Sequence, residues 1–132
     1  MKNAILFIFV MLYFSGCSQK KKTVNNFQEF NQTLVKKKGN QLVLKRVVTD
    51  SRCPEGVNCI WAGEIEIVVS VYKDNIFIKD ENILLSPKLQ KENLAWFSTY
   101  FPKQKIKELA VLPYPKNDKK INPKDYFVKI YF

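Results

Sequence analysis

Cys53 and Cys59 are the residues best equipped for covalent chemistry in this chain, and their spacing restricts what that chemistry can be. Five residues separate them, against the two of a redox-active pair. The chain contains no histidine to complete a mixed zinc site. In an oxidising compartment two thiols this close in sequence would pair. Closing so short a loop stabilises by about 2 kcal/mol on the chain-entropy estimate. Pro54 and Gly56 supply the fixed and the permissive φ that a tight loop needs. Asp50 and Ser51 are natural acceptors for loop amides. Trp61 stands just past the second cysteine and could cover the bridge with an apolar face. Should the two thiols point apart or hold a metal, a redox or metal site takes the place of the staple.

The loop Asp50–Gly63 has two uses open to it. One is structural, a bridged connection between two strands. The other is a binding surface anchored by Arg52 and Trp61, residue types enriched at interface hot spots, with Tyr114 as a third candidate contact. Glu55, Asn58 and Glu64 lack the alternating acidic ligands of a calcium loop. Elsewhere the parts for catalysis are missing. Without histidine the usual general base and triad centre are gone. Ser70 and Lys73 match the letters of a Ser–Lys dyad, but they stand at a strand end rather than a helix start. Glu64 and Glu66 share one strand face, where solvent exposure explains them better than a glycosidase pair. No glycine-rich phosphate loop is present. The expectation is a protein that is not an enzyme, with no cofactor and no metal site.

The N-terminus adds an address. Lys2 and the apolar run Ala4–Phe14 read as an export signal over 1–16, too short to span a bilayer. The segment Phe14-Ser15-Gly16-Cys17 resembles a lipobox, with Phe14 where an aliphatic residue is usual. Cleavage would leave Cys17 as an acylated first residue and the other two cysteines to pair. Residues 17–26 then form a polar tether carrying Lys20, Lys21 and Lys22. Ser18 after the cysteine favours the outer membrane. The basic rather than acidic run favours its periplasmic face over the cell surface. Inner membrane and cell surface stay open.

The string Asp50-Ser51-Arg52-Cys53-Pro54, followed by Cys59-Ile60-Trp61-Ala62-Gly63, resembles a motif found in a group of small bacterial lipoproteins, many from Bacteroidetes. Leu112-Pro113-Tyr114-Pro115 and Tyr126 extend the resemblance, which covers about 42–132. It implies the fold and the envelope address and carries no activity.

Around the loop, the chain reads as short strands. Gln41–Thr49 alternates, with Leu42, Leu44 and Arg46 on one face and Val43, Lys45 and Val47 on the other. Glu64–Tyr72 is the clearest strand, with Ile65, Ile67, Val69 and Val71 facing one way. Lys73-Asp74-Asn75 turns into a strand from Ile76 to Leu85, ended by Ser86-Pro87. Residues 106–112 and 126–132 read as two more. Phe27, Phe30 and Leu34 would suit a helical stripe. An edge strand over 28–36 is preferred, joined to the next by a hairpin at 36–40. The aromatic stretch Asn93–Phe101 is expected as a core strand, or else as an exposed platform for a ligand. Six or seven strands in one domain over 27–132 argue for an all-β antiparallel sandwich, immunoglobulin-like, or a small barrel.

The net charge of +10 rests on lysines, with only Arg46 and Arg52 as arginines. Nucleic-acid readers lean on arginine, so nucleic acid is not an expected partner. Attraction to an anionic glycan or lipid, or to an envelope protein, suits the charge better. The leading expectation is a lipid-anchored lipoprotein that binds a protein or an envelope component. A small hydrolase or metal-handling protein, and a purely structural or stress-related lipoprotein, are the alternatives.

Overall fold

A computed structural model describes residues 26–117 and 119–132. The expected signal segment, Cys17 and the tether up to residue 25 lie outside the described residues. Six strands form two three-stranded antiparallel sheets, and neither closes into a barrel. In chain order they are β1 (Phe27–Phe30), β2 (Asn40–Asp50), β3 (Ile65–Lys73), β4 (Ile76–Leu85), β5 (Glu108–Leu112) and β6 (Phe127–Tyr131). One sheet is the meander β2-β3-β4. The other runs β1-β6-β5, with the C-terminal strand in the middle.

The alternating apolar residues of β3 explain the core. Ile65, Ile67, Val69 and Val71 are buried, as their spacing predicts, and meet Val111, Val128 and Ile130 of the second sheet. The opposite face of β3 is less open than alternation alone suggests. Val68 and Ser70 are buried too. The Ser70 hydroxyl donates to Asp80 Oδ1 at 2.6 Å, and Lys45 Nζ reaches Asp80 Oδ2 at 2.5 Å.

β2 departs from strict alternation. Its register with β3 shifts between Leu44 and Arg46 and again between Val47 and Thr49. Each bulge inserts one residue and resets the alternation. The core face therefore carries Leu42, Leu44, Val47 and Asp50, opposite Val71, Val69, Ile67 and Ile65. Arg46 pairs with Val68 on the outer face instead of following Leu44 inward, as the sequence predicted. The second bulge turns Asp50 towards the other sheet.

Two further expectations are corrected. The hairpin at 36–40 does not pair the first strand with β2. β1 spans only Phe27–Phe30 and pairs with β6. The chain then crosses to the other sheet, where the Asn31 carbonyl accepts from the Leu44 N–H. The aromatic stretch is not a strand. Gln90–Ser98 is a helix, α1, entered through a 3-10 turn that Pro87 opens. Gln, Lys, Glu, Leu and Ala at its start are good helix formers. Its inward stripe is Asn93 and Phe97, one turn apart. Phe97 is fully buried, with Trp96 edge-on at 4.8 Å and Phe30 at 6.2 Å. The aromatic residues close the open side of the sandwich and do not form an exposed platform.

Candidate functional site

The loop between β2 and β3 is closed by a Cys53–Cys59 disulfide, with 5.9 Å between the Cα atoms. Main-chain hydrogen bonds clamp its base. Ser51 N–H donates to Glu64 O and Cys53 N–H to Ala62 O, each at 2.9 Å. The Ser51 hydroxyl adds a bond to Glu64 O at 3.0 Å. Gly63 sits where the two arms come closest. Its φ is +72°, and a Cβ there would lie 2.0 Å from Ser51 O. Gly56 at the far end also has positive φ, as its placement in a tight turn predicts.

Behind the loop lies a buried polar cluster. Arg52 is only 8% exposed. Its Nε and Nη2 donate to the two Asp50 carboxylate oxygens at 2.8 and 2.6 Å. Nη1 donates to Val111 O, and Nη2 also to Pro113 O at 3.1 Å. The guanidinium stacks on the Tyr114 ring at 4.5 Å. The Tyr126 hydroxyl donates to Asp50 Oδ2 at 3.1 Å. Burial alone would raise the Asp50 carboxyl, but the hydrogen bonds and charge of Arg52, with Tyr126, hold it below its usual value. Burial, then the bond to Asp50, push the Tyr126 hydroxyl up. A second tie runs from Glu55 N–H to Pro115 O at 2.9 Å.

The two distant pieces of the sequence motif thus meet in space. Asp50 and Arg52 from the loop grip residues 111–115 and Tyr126. The expectation that Arg52 is a surface anchor does not survive this geometry. Its donors are engaged inside the protein, and its charge is met by Asp50. Tyr114 is half-exposed, with one face taken by Arg52.

Trp61 is likewise not a cover for the bridge. It is 81% exposed, and Ile60 beside it is fully exposed. Val57 is exposed on the same loop. The loop is too short to fold back on itself, because the base clamps hold its arms together. Its apolar residues therefore project outward. Beneath them lies a hollow of about 890 Å³ walled by the loop and by Ser86, Pro87 and Lys88. Sequence reasoning singled out Trp61 and missed Ile60, whose exposure follows from the clamped base rather than from its own type. Among the described residues, no three His, Cys, Asp or Glu side chains gather to hold a metal ion.

Fold and site together define a small open β-sandwich that presents a disulfide-closed apolar loop. No family model, curated protein or solved structure matches the chain.

Proposed function

We propose that this chain is a lipid-anchored envelope protein whose sandwich domain binds a protein partner, without catalysis, through the Ile60–Trp61 tip. The observation that carries the reading is a tryptophan and an isoleucine held in water on a rigid loop. Leaving such residues exposed forgoes about 1.5–3 kcal/mol of burial each, which a bound partner would recover. Rigidity lowers the ordering cost of association. The disulfide supports an oxidising address, and the lipobox-like segment before Cys17 supports an acyl anchor at the outer membrane, facing the periplasm.

The test is a photo-crosslinking residue placed at Val57 in the native envelope. A discrete crosslinked protein is expected, lost on Trp61→Ala with unchanged melting. Crosslinks that persist in full with Trp61→Ala and Ile60→Ala together would remove the tip from any interface. Mass spectrometry tests the anchor. Acyl chains on Cys17 and loss of residues 1–16 are expected, and an unmodified intact N-terminus would refute it.

A further inference from the structure

β5 is an edge strand, and one end of its free side is already occupied. Consecutive residues of an antiparallel strand send their main-chain N–H and C=O groups to opposite sides. Arg52 donates to the carbonyls of Val111 and Pro113, so Val111 turns its groups away from β6. At the other end Lys107 N–H reaches Tyr131 O at 2.8 Å beside the Glu108–Tyr131 pair, a bulge in the same phase. Leu109 therefore also faces outward. The Arg52 guanidinium stands where a neighbouring strand would donate, and it blunts that end of the edge.

The rest of the edge is open. In that phase the N–H and C=O of Leu109 and the N–H of Val111 point away from β6, and no loop or side-chain hydrogen bond takes them up among the described residues. They face a groove of about 290 Å³ between β5 and α1, floored by Ile65, Leu85 and Leu94. This groove shares the walls Ala62, Gly63, Ser86 and Pro87 with the hollow beneath Trp61.

We infer that the groove takes an extended peptide segment of a protein partner, added as a strand to β5, with one aliphatic side chain on the floor and the next residues running out beneath Trp61. The open polar groups are main-chain donors and acceptors in strand phase, which is what a peptide backbone completes. Apart from Glu108 the groove has no free charge, since Arg52 is neutralised by Asp50, so an anionic glycan or phosphate finds nothing to bind. A second copy is a poor occupant. It would bring an Arg52 of its own to the edge, so a β5–β5 ladder sets two blunted strands against each other, whereas a single extended peptide meets only one. The inference rests on the protein-binding reading of the tip and names how the partner lies.

A displayed library of random heptapeptides, panned against the full chain, supplies the probe. A recovered peptide should slow amide hydrogen exchange at Leu109 and Val111. Leu109→Pro deletes the outward N–H while sparing the ladder to β6, and should weaken binding about tenfold. Leu109→Ala, which loses packing but keeps the N–H, should weaken it less than about threefold. Should Leu109→Pro unfold, the exchange readout alone decides. Failure to recover any peptide, or peptides that leave both amides exchanging freely, overturns the strand. Binding that falls with Trp61→Ala and ignores Leu109→Pro keeps the tip and rejects the strand. Binding that falls with Leu109→Pro and ignores Trp61→Ala does the reverse. Protection of the same amides by self-association, without peptide, would replace the partner with a second copy and overturn the inference.

Discussion

Arg52 serves four acceptors from one buried position, and each depends on its charge staying paired. Arg52→Ala would strand the Asp50 carboxylate beside the core and leave the Val111 and Pro113 carbonyls without a donor. Breaking a buried pair from one side costs about 3–5 kcal/mol. The expected result is a large drop in the denaturant midpoint with an unchanged slope. A loss under about 1 kcal/mol would mean that water replaces the guanidinium without penalty. The same cluster sets a pH response. Asp50 titrates lower in the folded state, so its stabilisation is present above the ordinary carboxylate range, about pH 4, and disappears as pH falls through the folded value. Tyr126 titrates higher when folded, so its share is complete below about pH 10 and is lost above it. Asp50→Asn should flatten the acid limb of stability against pH. An acid limb unchanged in that variant would assign it to other carboxylates.

The loop between β2 and β3 behaves as one element because its two arms touch. Gly63→Ala would force a Cβ into the Ser51 carbonyl at a φ that L residues avoid, and should cost at least about 2 kcal/mol. Gly56→Ala, with open space around it, should cost about 1 kcal/mol. Equal costs at the two glycines would show that conformational freedom, not close approach, is what Gly63 provides. Replacing both cysteines by alanine should cost about 2 kcal/mol and loosen the tip. A rise in amide exchange confined to residues 53–62 is the measurement that checks it. Much of this element was legible beforehand. Cysteine spacing, Pro54 and Gly56 announced a bridged turn. The role of Arg52 was not, because its partners at 111 and 113 lie far along the chain. Nothing in the type of an arginine says whether it faces water. α1 was misread for a related reason. Its aromatic run looks like a strand, whereas Gln90–Leu94 favours helix, with Asn93 and Phe97 buried and Leu94 and Trp96 packed against the core from its flanks.

At the scale of the whole molecule, short alternating strands such as β3 and β6 pointed to an antiparallel sandwich or a small barrel, and the structure is the sandwich, two open sheets around a common core. Ile67, fully buried at the centre, should cost about 2–5 kcal/mol when cut to alanine. A cost near zero by chemical denaturation would put that face outside the core. Alternation failed on β2, where bulges at Lys45 and Val48 reset the phase, and it said nothing about which strands would be neighbours. The pairing of β1 with β6 is the case in point. The earliest described strand and the last one lie side by side, and Phe132 N–H donates to Asn26 O at 2.8 Å. β6 is also the middle strand of its sheet, so β1 and β5 are joined within the sheet only through it. The arrangement works like a clasp. The meander β2-β3-β4 joins strands that follow one another in the chain, whereas the second sheet forms only once β6 lies between β1 and β5. Its β1–β6 pairing brings together residues about a hundred apart in sequence, the long-range kind of contact that slows folding. A chain cut before Phe127 should therefore keep the meander β2-β3-β4 paired while the second sheet stays open, and amide exchange that is fast only in β1 and β5 is the expected readout.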